Sequence, residues 1–254
     1  MSVAGSSEVE GPEGHMLFGV SGGSLRLAIL GAGRMGQEVE AAAREHSIEV
    51  VACLGRDALV DGERVKTVLQ EASVAIEFTA PDAAVNNIDL CLDAECPVVV
   101  GTTGWYEHLE EVSARVARRD GAMLWAPNFS LGVALLKILC TQAGGLLGGM
   151  DSFSAHVEET HHSTKKDAPS GTALILRDAL ASAARKEVEI TSIRTGQVPG
   201  RHEVWIDGPH ERVSLTHDAR SRRVFADGAL SAAAWLIGRK GVYTMDDFIT
   251  LEGF

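Results

Sequence analysis

The densest cluster of reactive side chains in the sequence is Glu158-Glu159-Thr160-His161-His162-Ser163-Thr164-Lys165-Lys166-Asp167-Ala168-Pro169-Ser170-Gly171-Thr172. Imidazoles exchange protons near neutral pH, and two lysines add positive charge to a chain that is acidic elsewhere. The Pro-Ser-Gly-Thr turn leads into a helical pattern from Ala173 to Leu180. Pro169 bars helix before it, Ser170 is a good N-cap, and the first free backbone N–H groups fall near Gly171 and Thr172. Such a helix start attracts anions. The implied chemistry is the gripping of a small, multiply anionic molecule that needs a proton. Adjacent residues of an extended strand point to opposite faces, so His161 and His162 can share a pocket only if the strand ends there, as Ser163 and Thr164 suggest. His156, His202, His210 and His217 have no such company and are expected in surface or core roles.

The chain has 254 residues, a formal net charge of -12 and a pI near 5.2. That length allows one large domain or two small ones, and the acidity argues against a nucleic-acid surface. The cysteines Cys53, Cys91, Cys96 and Cys140 show no C-x-x-C spacing and lie in or beside apolar runs. Buried thiols in a reducing, cytoplasmic setting are expected, and no metal site. No apolar run approaches the ~20 residues of a membrane span. Residues 1–24 are rich in Gly, Ser and Glu and read as a flexible extension.

A proton donor needs a redox partner, and the first half of the chain supplies one. The apolar run Leu25 to Leu30 ends at Gly31-Ala32-Gly33-Arg34-Met35-Gly36, followed by a helical pattern over 37–45. Strand, G-x-G-x-x-G and helix together form a dinucleotide fingerprint, in which the glycines let backbone approach a pyrophosphate. The second strand, Ile48 to Leu54, is followed by Gly55-Arg56-Asp57. An NAD-selective site carries an acid at about this distance. Gly55 lacks that carboxylate and Arg56 can pair with a 2′-phosphate, which leans toward NADPH, although Asp57 keeps NADH open.

Further strands are predicted over Val74 to Thr79, Pro97 to Val100 and Ala122 to Trp125, with helices from Pro81 to Asp93 and from Tyr106 to Arg119. This alternation predicts a Rossmann-type, doubly wound parallel sheet of the α/β class, binding ligands at its carboxyl ends. Thr79, Thr102 and Thr103 occupy such ends. Asn128-Phe129-Ser130 reads as a junction, followed by an apolar helix from Leu131 to about Leu147. Beyond it the strands alternate polar and apolar residues (153–158, 187–194, 202–206 and 212–217), predicting a second, α+β domain with an open mixed sheet. A closing helix over 229–237 is expected to pack back on the first domain. The expected division is 25–127 with 226–254 for the dinucleotide, and 128–225 for substrate and oligomerisation, with the site in the cleft between them.

Glu159 to Ala173 resembles the signature of the 4-hydroxy-tetrahydrodipicolinate (dihydrodipicolinate) reductase family, Glu-x-His-His-x-x-Lys-x-Asp-Ala-Pro-Ser-Gly-Thr-Ala. Gly31 to Gly36, Glu77-Phe78-Thr79, Gly101 to Gly104 and Asn128-Phe129-Ser130 match further blocks in order, so the likeness runs from Leu25 to the C-terminus. The resemblance implies NADPH- or NADH-dependent reduction of a cyclic imine dicarboxylate, in lysine and diaminopimelate biosynthesis. It implies His161 as general acid, with Lys165 a second proton-donor candidate. It further implies substrate contacts from His162, Lys165, Ser170, Gly171, Thr172 and Thr103. Around the cofactor it implies Gly31, Gly33, Arg34, Met35, Gly36, Arg56, Phe78, Thr79, Gly101, Thr103, Asn128, Phe129, Arg222 and Phe225. The glycine loop is one residue shorter than the family's, and the regions before Val74 and over 194–205 look shortened. The latter belongs to the part that the family uses to form tetramers, so a homo-oligomer is expected without its size being set. Two other readings are a dehydrogenase of an acyclic amino dicarboxylate such as aspartate, and a nucleotide-binding protein without turnover. The first leaves Lys165 and the Pro-Ser-Gly-Thr turn unexplained; the intact His161, His162 and Lys165 speak against the second.

Overall fold

The computed structural model describes residues 25–252, and the extension expected over residues 1–24 lies outside them. The chain runs β1 (Arg26–Leu30), α1 (Arg34–Glu45), β2 (Glu49–Leu54), α2 (Gly62–Glu71), β3 (Val74–Glu77), α3 (Pro81–Asp93) and β4 (Val98–Val100). Next come α4 (Leu109–Arg118), β5 (Ala122–Trp125), α5 (Leu131–Leu147), β6 (Ser154–His161) and α6 (Gly171–Ala184). The chain continues through β7 (Glu189–Arg194), β8 (Arg201–Asp207), β9 (Arg212–Asp218), α7 (Arg223–Leu236), β10 (Gly241–Tyr243) and α8 (Met245–Glu252).

Six strands form a parallel sheet in the order β10-β5-β4-β3-β1-β2. β3 and β4 are buried at every position, and apart from Glu77 at the end of β3 they are apolar, because helices cover both faces. One core joins Leu27, Ile29, Val74, Ile76 and Leu124 to Ala229, Leu230, Trp235, Leu236 and Phe248 of α7 and α8. The other face packs against α2, α3 and α4 through Leu69, Ile88, Val112 and Val116. Burying each such side chain contributes roughly 1.5–3 kcal/mol.

Three elements add to the sequence expectation here. A helix, α2, fills the stretch between the second and third strands, its N-cap Asp61 accepting from Arg64 N at 3.2 Å and Val65 and Leu69 forming its buried stripe. The chain's end supplies β10 and α8, and β10 pairs with β5 as an edge strand.

The second sheet has the order β7-β6-β8-β9. β6 and β7 are parallel, whereas β6 with β8 and β8 with β9 are antiparallel, so the sheet is mixed as expected. Its strands alternate. On β6 the buried positions are Val157, Glu159 and His161, and on β8 they are His202 and Val204. Val157 and Val204 meet Leu136, Leu176 and Leu180 of α5 and α6 in a third core. The same buried face thus begins apolar and ends polar, and its polar end is where chemistry can be done. No described helix is long and apolar enough to cross a membrane.

Candidate active site

The strand order reverses beside β1, with β2 on one side and β3 on the other, which is where doubly wound sheets open a ligand crevice. Gly31, Gly33, Arg56, Phe78 and Thr79 line a cavity of about 540 Å³ there. Gly31 has φ +108°, and a Cβ on it would lie 2.1 Å from the Phe78 carbonyl oxygen, so only glycine fits. A Cβ on Gly36 would strike the Gly31 carbonyl oxygen at 1.8 Å; this glycine serves the packing of α1 on the loop. Gly33, the N-cap of α1, has open space where a Cβ would point, leaving its backbone accessible.

The floor of this crevice holds a group that sequence reasoning took only as part of a motif. The buried carboxylate of Glu77 accepts from Thr79 N at 3.2 Å and from Asn87 Nδ2 at 3.3 Å, and it also receives the Thr79 hydroxyl. Burial pushes the Glu77 carboxyl up, against the hydrogen bonds from Thr79, Thr102 and Asn87. Asn87 lines the same cavity, and nothing in its local sequence marks it.

A second cavity, of about 610 Å³, is lined by Met35, Phe78, Gly101 and Thr103 from the first sheet's side and by Asn128, Phe129 and Phe225 near the junction. From the second sheet's side come His161, His162, Lys165, Ser170, Gly171 and Thr172. Phe78 borders both cavities. Its ring lies where a Cβ on Gly101 would be, at 1.9 Å, and stands edge-on to Phe129 with centroids 6.0 Å apart. Tyr106, Pro127, Asp167 and Pro199 also line this space. Arg34, Gly36 and Arg222 line neither cavity; Arg34 and Arg222 are exposed at the starts of α1 and α7.

β6 ends at His161, so His161 and His162 both reach the second cavity. Their settings differ. His161 is buried and its Nδ1 meets Glu159, whose other oxygen accepts from Arg194 at 2.6 Å. His162 Nδ1 lies 2.8 Å from the Thr164 hydroxyl. Lys165 Nζ reaches Asp167 at 2.9 Å. Ser170 caps α6 through Ala173 N at 3.2 Å, and Asn128 Nδ2 donates to Thr172 Oγ1 at 3.0 Å, tying the junction to the helix start. Gly171 has open space where a Cβ would point, so the first turn's N–H groups can meet an anion.

His202, which is buried, and His217, which is half-buried, stand beside this polar end without lining either cavity. His202 pairs with Glu159 across β6–β8 and with His217 across β8–β9. Its ring stands 5.1 Å from that of His161, and its Nε2 lies 3.4 Å from Ser170 Oγ. His217 Nε2 lies 3.1 Å from Ser130 Oγ, the N-cap of α5. Burial pushes His202 down to about 3, with the neighbouring His161 and His217 adding to the effect, so it is neutral at pH 7. Burial also lowers His161, against the pull of Glu159. Glu159, His161 and His202 offer nitrogen and oxygen atoms within 4.8 Å of one another. The Arg194 guanidinium on the same carboxylate opposes a further cation there: His161 and Arg194 engage Glu159, while His202 touches the group through its ring.

Comparison with known proteins gives the family. The model of the dihydrodipicolinate reductase N-terminus matches residues 25–129, and that of its C-terminus matches residues 132–249. A 4-hydroxy-tetrahydrodipicolinate reductase of Christiangramia forsetii is 34% identical over 238 residues, covering 89% of this chain and 98% of that protein. One from Caldanaerobacter subterraneus is 36% identical over 250 residues, with 89% and 98% covered. A dipicolinate-bound dihydrodipicolinate reductase structure from Paenisporosarcina sp. TG-14 shares the fold, with a TM-score of 0.74 at 23% identity over 87% of this chain and 97% of that one. With both halves matched in order and relatives above 30% identity over nearly their whole length, the chain belongs to the dihydrodipicolinate reductase family.

Proposed function

We propose that this oxidoreductase reduces 4-hydroxy-tetrahydrodipicolinate to tetrahydrodipicolinate with NADPH or NADH, in the cytoplasm, as a step of lysine and diaminopimelate biosynthesis. The observation that carries the reading is the second cavity, where Met35, Phe78 and Gly101 at the dinucleotide crevice face His161, His162, Lys165 and the Ser170-Gly171-Thr172 helix start. Gly31 to Gly36 would hold the dinucleotide's pyrophosphate, and Arg56 would meet its ribose end. Phe78, Thr79, Gly101, Thr103, Asn128, Phe129 and Phe225 are the residues that would hold its nicotinamide, which would supply the hydride.

The substrate's carboxylates are held by Lys165, His162, Thr103 and the N–H and hydroxyl groups of Ser170, Gly171 and Thr172. Hydride addition to the conjugated imine drives an electron pair toward ring nitrogen or carbon. A proton from His161 neutralises that charge as it develops, and the ring hydroxyl departs as water. Burial, with the cations of Lys165 and Arg194, lowers the pKa of His161 against the pull of Glu159. A dianion bound beside the ring favours its charged form, so the acid is loaded when substrate arrives. Residues 25–127 with 226–254 form the dinucleotide unit, and 128–225 the substrate and assembly unit of a homo-oligomer.

The test supplies the condensation product of pyruvate and aspartate semialdehyde and follows NADPH and NADH oxidation. Oxidation that depends on that product is expected with at least one cofactor. Its absence with both would sink the reading.

A further inference from the structure

We propose that Glu159 is a positioning residue that fixes the proton of the His161 ring on Nδ1, so that Nε2 is the nitrogen left to give up a proton. The inference rests on the reading of His161 as the acid and concerns how the chain prepares it.

The placement follows from the strand. Residues two apart on β6 share a face, so Glu159 lies behind His161 on the buried side of the sheet, fully shielded from solvent. A buried carboxylate is costly unless its oxygens are engaged. Both oxygens are: one accepts from Arg194 at 2.6 Å and the other meets His161 Nδ1. Burial pushes this carboxyl up, but Arg194 and His161 outweigh it and hold it at about 2. An ionised carboxylate can only accept, so the facing nitrogen must carry hydrogen. The proton that His161 gives up therefore leaves from Nε2, because Glu159 is too weak a base to take the one on Nδ1.

His162 lacks such a device. Its Nδ1 faces a hydroxyl, which donates or accepts equally well and leaves the tautomer open. The two adjacent imidazoles are thereby distinguished: one has its proton assigned by a charge, and the other does not.

The groups facing His161 come from every neighbouring element. Glu159 on its own strand favours the imidazolium, while Arg194 on β7 and Lys165 in the following loop disfavour it. On β8, His202 is neutral near pH 7, with its ring edge-on to His161. On β9, His217 faces His202. Asp167 in the loop is engaged by Lys165.

The signs of these interactions give the test. With imidazole nitrogens labelled with ¹⁵N, NMR of the full chain reads both the tautomer and the titration of His161 without turnover. In the unsubstituted protein, neutral His161 is expected with hydrogen on Nδ1. In Glu159→Gln its titration moves to lower pH and the tautomers mix; in Arg194→Gln, which removes a cation, the titration moves to higher pH. Glu159→Gln is also expected to lower kcat about 10- to 100-fold, with cofactor affinity kept and the alkaline limb of the kcat–pH profile displaced downward. A merely structural ion pair would lower stability and leave tautomer and profile in place, which would overturn the proposal. So would hydrogen on Nε2 in the unsubstituted protein, a result that needs no variant to fold. Failure to oxidise either cofactor would instead refute the assigned reaction and leave the tautomer result standing.

Discussion

The two sheets of this molecule place function differently. In the six-stranded sheet the strands carry almost nothing but apolar side chains, and the groups around the crevice, Gly31, Arg56, Phe78, Thr79 and Gly101, all follow strand ends. In the four-stranded sheet a polar cluster sits on the strands themselves: Glu159 and His161 on β6, Arg194 on β7, His202 on β8 and His217 on β9. A sheet covered on both faces has little room for polar side chains, and the buried Glu77 at the end of β3 is held by Thr79, Thr102 and Asn87, so the sheet offers mainly backbone and loops at its edge. A sheet covered on one face can let its buried row run from valine to histidine as it approaches a cavity. The first arrangement suits holding a cofactor, and the second suits setting the charge state of a proton donor.

This contrast predicts separable defects. The largest is expected on the second sheet: His161→Ala should lower kcat by about 10²- to 10⁴-fold while the dissociation constants of NADPH and NADH stay nearly unchanged. Equal loss of cofactor binding, measured by fluorescence titration, would show that the two regions are not independent.

Next comes the cost of the buried polar row. His202 binds a proton near pH 6.5 when unfolded but only near 3 when folded. Between those values the unfolded chain holds more protons, so folding free energy should fall as pH drops through that window, by on the order of a few kcal/mol. Denaturant unfolding at a series of pH values should show this slope, and His202→Gln should flatten it. An unchanged slope would place the acid sensitivity elsewhere.

The smallest effect is expected at the crevice. Arg56→Ala should weaken NADPH by about 10-fold, the range of one charged phosphate contact, with NADH and kcat little altered. Equal weakening of both cofactors would remove the 2′-phosphate role assigned to Arg56.

What could be read from the sequence follows the same divide. The first sheet announces itself locally, because each solid apolar strand is contiguous and its glycine loop adjoins it. The block from His161 to Thr172 is equally contiguous. His202 and His217 are another matter: they lie 41 and 56 residues beyond His161 and join it only through antiparallel register. Pairing across strands leaves no local mark, so isolated histidines in alternating strands read as ordinary ones. Asn87 escapes for a related reason, since a helix brings it back under Glu77. The helix α2 was legible in principle, with Asp61 as cap and Val65 and Leu69 one turn apart.

The edge strand β10 bears on how the molecule is made. Its residues 241–243 pair with residues 122–124, and α7 and α8 complete the core over β1 and β3. The whole four-stranded sheet is synthesised between these partners. A chain emerging from the ribosome therefore holds the six-stranded sheet with one face covered only by α1 until the last thirty or so residues appear. Such long-range closure slows folding and leaves apolar surface open to aggregation in the interval.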